Sequence, residues 1–226
     1  MPARRRFSYA CVRALIRLIM ALLTRTSVRG AANLPPSGAG IVVSNHIDAI
    51  DPGILVGALP RPVALMSKVE NRRGVLGLFM PLVGAFTVRR GAADRQAMQQ
   101  AAEVLARGEL LCMFPEGTRS RDGRLGPAHG GAALLALKSG APVIPVALTG
   151  TSRVFRRRFP WLGFPRVTVT VGQPFRPSAV GGAHRDERAQ ATREIMQKIA
   201  YLLPPELRGA YLPEPDRAGA TSEAQA

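Results

Sequence analysis

The chain is poor in cysteine, lysine and acidic residues; the shortage of cysteine excludes two kinds of site, and the shortage of acidic residues bears on the partners. Among 226 residues there are two cysteines, Cys11 and Cys112, which form neither a metal-ligand spacing nor a disulfide framework. Both lie in apolar stretches, so we expect packed, reduced thiols in an intracellular protein. Fifteen acidic residues stand against 31 basic ones, a net charge of +16, and three of the basic residues are lysines. This excess favours polyanionic partners such as anionic lipid, nucleic acid or phosphorylated substrates.

No apolar run near the start of the chain is long enough to cross a membrane. Residues 1–30 carry seven arginines and no acidic residue, and their longest charge-free run, 18–24, is far shorter than the roughly 20 residues that a spanning helix needs. From residue 7 to residue 23, apolar residues recur with a helical period on one side and arginines on another. The pattern predicts an in-plane amphipathic helix, with its apolar side among acyl chains and its arginines on lipid phosphates.

Other interpretations of this segment stay open. It could be an ordinary surface helix, or a signal peptide, because Arg4-Arg5-Arg6-Phe7 is similar to a twin-arginine export signal. Arg13 and Arg17 interrupt the apolar region, however, and no clean small-residue cleavage site follows. A second candidate for membrane contact is residues 155–164, where aromatic residues alternate with arginines; a surface loop with a buried Trp161 explains it equally well.

Predicted strands and helices alternate along the rest of the chain. The patterns predict strands over 41–44, 62–66, 86–88, 110–114, 143–148 and 167–171, and helices over 53–59, 94–105, 131–138 and 185–203. This alternation predicts an α/β fold with a largely parallel central sheet flanked by helices. We expect a membrane-associating helix over residues 1–30, a folded domain over 31–204 and a C-terminal tail over 205–226, loose from about residue 213 onward.

His46 is the candidate catalytic base. It precedes Asp51 by five residues in Ser44-Asn45-His46-Ile47-Asp48-Ala49-Ile50-Asp51-Pro52. A neutral imidazole, with a pKa near ~6.5, can remove a hydroxyl proton, and a carboxylate on its other nitrogen fixes the tautomer. Because His46 follows a strand while Asp51 and Pro52 have the pattern of a helix N-cap and first residue, the turn can return the carboxylate to the imidazole. Helix capping alone is the other role open to Asp51. His129 and His184 lack such a setting and are interpreted as loop histidines.

A second polar segment, Phe114-Pro115-Glu116-Gly117-Thr118-Arg119-Ser120, follows a predicted strand. Gly117 allows backbone N–H groups to approach an oxyanion closely. Thr118 can donate a hydroxyl hydrogen bond, and Arg119 can bind a phosphate with two parallel N–H groups. Glu116 is expected to hold Arg119 or to contact the hydroxyl of an acceptor. A surface turn followed by solvated arginines is the alternative interpretation.

These two segments resemble the His-x4-Asp and Phe-Pro-Glu-Gly-Thr-Arg-Ser boxes of the glycerolipid acyltransferase family. Gly84-Ala85-Phe86-Thr87-Val88-Arg89-Arg90 is similar to the family's G-x-x-F-[IV]-x-R box, with Thr87 in place of the phenylalanine. Val143-Ile144-Pro145-Val146 resembles its V-[IV]-P-V box, which lines the site. All four boxes occur in the family's order over residues 44–148.

The resemblance implies acyl transfer from acyl-CoA or acyl-carrier protein to the free hydroxyl of lysophosphatidic acid, giving phosphatidic acid in phospholipid biosynthesis. It implies that His46 is the base and Asp51 its orienting partner, within an acyltransferase domain over 31–204. The implied substrate-binding residues are Lys68, Arg90, Glu116, Gly117, Thr118 and Arg119, of which Lys68, Arg90 and Arg119 clamp the acceptor phosphate. No metal is implied, and no cofactor beyond the thioester co-substrate.

The expected partners are an anionic membrane surface, the lysophospholipid acceptor and the acyl thioester donor, at the cytoplasmic face of the inner membrane as a peripheral or monotopic protein. The alternatives are an enzyme of the same family with another lyso-lipid acceptor and a non-catalytic basic membrane-binding module. A pure binding module has no need of the His-Asp pair and the Glu-Gly-Thr-Arg turn in this order. A nucleic-acid partner is not expected, because the sequence has no RNP-like box, zinc spacing or aromatic stacking platform.

Overall fold

The computed structural model describes residues 3–68, 86–88, 95–154, 164–178 and 184–211. The helices in these ranges are α1 Ala3–Leu23, α2 Asp51–Ala58, α3 Arg95–Ala106, α4 Gly131–Ser139 and α5 His184–Leu202. The strands are β1 Arg25–Arg29, β2 Gly40–Ser44, β3 Val63–Lys68, β4 Phe86–Val88, β5 Leu110–Met113, β6 Val143–Thr149 and β7 Arg166–Val171. Short 3-10 turns cover Ala31–Asn33, Thr151–Arg153 and Pro205–Leu207.

The seven strands form one sheet in the order β1-β7-β6-β2-β5-β3-β4. Every neighbouring pair is parallel except β6 and β7, which are antiparallel. The predicted α/β fold with a largely parallel central sheet is therefore confirmed. Strand β1 was not predicted, because it is an edge strand whose residues are almost all exposed and so lack an apolar signature.

Helices cover both faces of the sheet. In the central strand β2, Ile41 and Val43 pack with α3, α4 and α5, whereas Val42 points to the opposite face and packs with α1 and α2. Strands β2 and β5 are buried along their whole length, which is typical of central strands in parallel sheets and explains their continuous apolar sequence.

Helix α1 packs on α2, and two arginines of α1 bind backbone groups at the end of α2. Arg13 donates hydrogen bonds to the carbonyl oxygens of Leu59 and Pro60, and Arg17 donates from Nε to the carbonyl oxygen of Gly57 at 2.8 Å. The last carbonyls of a helix lack intrahelical partners, so these cations complete the C-terminal end of α2. The prediction that the arginines of α1 lie on lipid phosphates is therefore wrong for Arg13, which faces the protein.

The opposite side of α1 is apolar and exposed. Six large side chains with exposed fractions between 44% and 74% lie there: Phe7, Leu15, Leu18, Ile19, Leu22 and Leu23. Cys11 is exposed on the same helix, so its prediction as a packed thiol is wrong, whereas Cys112 is buried as predicted. In the part of the chain that the structure describes, no helix combines the length and apolarity required to cross a bilayer.

The first residues of the predicted tail pack against the domain. The Leu125 N–H donates to the carbonyl oxygen of Leu207 at 2.8 Å, and Leu207 and Tyr211 pack against the core. Residues 212–226 lie outside the described residues. So do 155–163 of the second predicted membrane-contact stretch; its last residue, Phe164, is exposed.

Candidate active site

The loop between β2 and α2 is anchored at its first residue, Asn45. Its side-chain amide donates to the carbonyl oxygen of Leu148 at 2.9 Å and accepts the Leu148 N–H at 2.7 Å. The side chain thus continues the pairing of β2 with β6 one residue past the end of the strand. Asn45 is buried, and its position fixes where the following His46 leaves the sheet. It was not among the predicted site residues.

His46 and Asp51 are in direct contact. The imidazole Nδ1 lies 2.8 Å from Asp51 Oδ2, and the same oxygen accepts the N–H groups of Ile47 at 2.6 Å and Asp48 at 2.8 Å. Asp51 is fully buried, whereas the His46 side chain is 17% exposed. Because a carboxylate only accepts hydrogen bonds, this contact assigns the proton to Nδ1, and a neutral imidazole then has its lone pair on Nε2.

Asp51 is the first residue of α2, and Ile50 occupies the N-cap position without a side-chain capping bond. The predicted N-cap therefore lies one residue too late. Capping alone does not account for Asp51, since its carboxylate binds N–H groups that precede the helix and the imidazole beside them. A negative charge in the first turn of a helix is also stabilised by the helix dipole.

Phe114 and Glu116 hold His46 from the segment that follows β5. The rings of Phe114 and His46 stack with centroids 4.2 Å apart and an interplanar angle of 23°. Glu116 Oε1 accepts the backbone N–H of His46 at 2.9 Å, and Oε2 accepts the N–H of Gly126 at 2.9 Å. Burial raises the pKa of the Glu116 carboxyl, although the hydrogen bonds from His46 and Gly126 oppose this shift.

The turn after Glu116 is closed tightly. Gly117 has φ +62° and its N–H donates to the carbonyl oxygen of Phe114 at 3.0 Å, so that N–H is already used within the turn. A Cβ atom at this position would lie 2.9 Å from His129 Cδ2, so a larger residue would require the His129 side chain to move in addition to the strain of the positive φ. The loop histidine predicted at 129 therefore packs on the turn.

The end of this segment is also attached to the loop between β2 and α2. The Ser120 N–H donates to the carbonyl oxygen of His46 at 2.7 Å, while Thr118 and Arg119 are exposed. Within the described residues, no hydrogen bond or ion pair joins Glu116 to Arg119.

The remaining predicted residues follow from the sheet order. Strands β2, β5 and β3 are parallel neighbours, so their carboxyl ends share one edge of the sheet. His46, the Glu116–Arg119 turn and Lys68, the last residue of β3, therefore lie at that edge; the side chain of Lys68 and the whole of Arg90 fall outside the described part of the structure. The fourth box forms the buried strand β6.

Comparisons with known proteins agree with this arrangement. Residues 25–149 match the model of the acyltransferase family, more than half of the chain, and the protein belongs to this family. A 1-acyl-sn-glycerol-3-phosphate acyltransferase of Chlamydomonas reinhardtii is 33% identical over 82% of this chain and 55% of its own. The chloroplastic enzyme BAT2 of Brassica napus is 33% identical over 67% of this chain and 45% of its own.

The chain thus spans about half the length of these curated relatives. Among solved structures, the 1-acyl-sn-glycerophosphate acyltransferase PlsC of Thermotoga maritima superposes with a TM-score of 0.67 at 22% identity. That match covers 89% of this chain and 84% of the other, and it shows that the two proteins share a fold.

Proposed function

We propose that the protein transfers a fatty acyl group from an acyl thioester to the free hydroxyl of lysophosphatidic acid, forming phosphatidic acid. The observation that carries this proposal is the His46–Asp51 pair, in which Nδ1 is bound at 2.8 Å and Nε2 stays available as a base. The names of the relatives support lysophosphatidic acid as acceptor. Acyl-CoA and acyl-carrier protein are both suitable donors.

In the proposed reaction, His46 Nε2 removes the proton of the acceptor hydroxyl as its oxygen attacks the thioester carbonyl carbon. The tetrahedral intermediate then collapses, the carbon–sulfur bond breaks, and the imidazolium returns the proton to the leaving sulfur. Asp51 stabilises the imidazolium between these two steps. We propose direct transfer of the acyl group to the acceptor, without an acyl-enzyme intermediate. Cys112 is buried in the core, and its burial raises the pKa of the thiol to about 12, so this cysteine is not a nucleophile.

The turn at Arg119 is the proposed site of the acceptor phosphate, with Lys68 and Arg90 as further clamps. The exposure of Arg119 at the same sheet edge as His46 supports this role, and a guanidinium matches the geometry of a phosphate. In this proposal Gly117 and Thr118 shape the turn that holds the acceptor.

The exposed apolar side of α1 is the proposed membrane contact. It would hold the enzyme on the cytoplasmic face of the inner membrane, where a lysolipid acceptor is already embedded. The absence of acidic residues from the first 47 positions and the net charge of +16 support an anionic surface.

Transfer of a labelled acyl group to lysophosphatidic acid, with wild type compared to His46→Ala, tests the function. We expect a loss of at least roughly 10²-fold, the lower range for a general base. Equal rates for the two proteins would remove His46 from the mechanism.

A panel of lyso-lipid acceptors with and without a phosphate, assayed with Arg119→Ala, tests the headgroup. The KM for the phosphate-bearing acceptor should rise far more than the KM for the acceptor without phosphate. The same change for both acceptors would favour a different lyso-lipid as the natural acceptor.

A further inference from the structure

We propose that Glu116 is a positioning residue, which acts on the reaction through the backbone of His46 and does not bind the acceptor. This inference rests on the proposed function for its kinetic consequence. It reassigns the residue that sequence analysis placed with the substrate-binding set.

Both carboxylate oxygens of Glu116 are occupied by the protein itself. Oε1 accepts the His46 N–H at 2.9 Å, and Oε2 accepts the Gly126 N–H at 2.9 Å. Each oxygen could accept a further hydrogen bond, but Glu116 is only 4% exposed, so little of the carboxylate can be reached by an acceptor hydroxyl.

The two polar backbone groups of His46 are held by the same segment. Its N–H is bound by Glu116, and its carbonyl oxygen accepts the Ser120 N–H at 2.7 Å. The imidazole is held separately, by Asp51 on Nδ1 and by the ring of Phe114. Glu116 therefore fixes the backbone position of His46, whereas Asp51 and Phe114 fix the orientation of its imidazole ring.

A carboxylate suits this position because it must accept from two opposed N–H groups. A glutamine has one acceptor oxygen, and its NH2 group would face one of the two N–H donors. An aspartate is one methylene shorter and cannot span both bonds without moving a loop. The two backbone donors thus explain why a glutamate occupies this position, and no contact with a substrate is needed to explain it.

The second bond of Glu116 extends this restraint to the C-terminal residues. Gly126 follows Leu125, whose N–H donates to the carbonyl oxygen of Leu207 at 2.8 Å. Leu125 is itself buried. The loop that binds Oε2 is therefore anchored to the Pro205–Leu207 turn, and the carboxylate connects the catalytic loop to a fixed part of the domain.

Steady-state kinetics of Glu116→Gln with lysophosphatidic acid tests the proposal. Asp122→Asn is the matched control, because Asp122 also accepts a backbone N–H, from Arg124 at 3.0 Å, but lies exposed. We expect kcat of Glu116→Gln to fall by roughly 10- to 100-fold, the scale of a misplacement of about 1 Å, with the acceptor KM within about twofold of wild type. A raised acceptor KM with unchanged kcat would overturn the proposal and restore a substrate-binding role. Unchanged kinetics would also overturn the proposal, because the restraint would then have no effect on the reaction.

Hydrogen exchange supplies a readout that needs no activity. Of the backbone amides of His46 and Gly126, the one that faces the glutamine NH2 should exchange at least about tenfold faster in Glu116→Gln than in wild type, because it loses a buried acceptor. Both amides should be unchanged in Asp122→Asn. Equal protection of both amides in wild type and Glu116→Gln would refute the restraint. If the wild type is inactive on lysophosphatidic acid while Glu116→Gln still shows this loss of protection, the proposed function alone is refuted.

Gly126→Ala keeps the proposal testable if Glu116→Gln does not fold. A Cβ atom at position 126 would lie 3.1 Å from Glu116 Oε2, so it pushes on the carboxylate without removing it. We expect a smaller fall in kcat with unchanged acceptor KM. A rise in KM alone would again assign Glu116 to the acceptor.

Discussion

Replacement of Asp51 by asparagine removes the negative charge of the side chain and keeps nearly the same shape, so it tests the contribution of the charge alone. The Oδ2 atom accepts three hydrogen bonds, from His46 Nδ1 and the N–H groups of Ile47 and Asp48, and an amide oxygen in the same place can accept all three. The amide NH2 then occupies the place of Oδ1, which is buried and has no hydrogen-bond partner among the described residues. The substitution thus keeps the loop but removes the negative charge beside the imidazole.

The magnitude follows from the loss of that charge. A carboxylate and an imidazolium with charge centres ~4 Å apart interact by about 4 kcal/mol at an effective dielectric constant of ~20. Loss of this term in the transition state corresponds to at most about 10³-fold in kcat, so we expect a fall of roughly 10²- to 10³-fold with little change in acceptor KM. The unpaired NH2 group should also lower the free energy of unfolding by about 1–3 kcal/mol.

The assay is steady-state acyl transfer, which gives kcat and the acceptor KM, run in parallel with urea denaturation. Asp48→Asn is the matched control, because it removes one negative charge from the same loop while its Oδ1 makes only a 3.4 Å contact with the Ile50 N–H. An equal fall in rate for both variants would show that the loop charge matters and not the contact with the imidazole. An Asp51→Asn variant with the wild-type rate would refute the assigned role of Asp51.

Three further outcomes follow from the described contacts. Asn45→Ala should lower the free energy of unfolding in urea by about 2–4 kcal/mol, because it leaves two buried backbone groups unpaired, whereas Asn33→Ala removes a partly buried amide and should cost less than half as much. Gly117→Ala should lower the melting temperature more than Gly140→Ala, because both positions have positive φ but only Gly117 is crowded by a neighbouring side chain; equal shifts would refute the crowding. A water-soluble maleimide should label exposed Cys11 readily, and vesicles of anionic lipid should slow this labelling at least about tenfold if α1 lies on the bilayer; unchanged labelling would refute that placement.

The parts of the site that could be predicted are those set by local spacing. Four residues separate His46 from Asp51, and a strand ends before the first while a helix begins at the second, so the contact between them is nearly a local property. The α/β fold was predictable for the same reason, because each strand and helix has its own periodicity. The amphipathic pattern of α1 likewise predicted a helix.

The contacts that could not be predicted join distant parts of the chain. The partner of Asn45 lies 103 residues away and that of Glu116 lies 70 residues away, and both partners are backbone groups, which are the same for every residue type. Arg13 was misassigned because a cation on an amphipathic helix has the same pattern whether it meets a lipid phosphate or the end of another helix. Only the register of the folded sheet and the packing of α1 on α2 settle these contacts.

Two buried carboxylates, Asp51 and Glu116, lie beside His46, and each is stabilised by its own set of hydrogen-bond donors. Asp51 is supported by two loop N–H groups and by the imidazole, whereas Glu116 is supported by two N–H groups from separate loops. Buried charge is costly unless hydrogen bonds replace the lost water, and here backbone donors supply that replacement on both sides. In the proposed mechanism, one carboxylate orients the imidazole and the other fixes the backbone that carries it. The proposed base is then held at both ends before any substrate arrives, so the geometry required for proton removal costs no reorganisation at the moment of reaction.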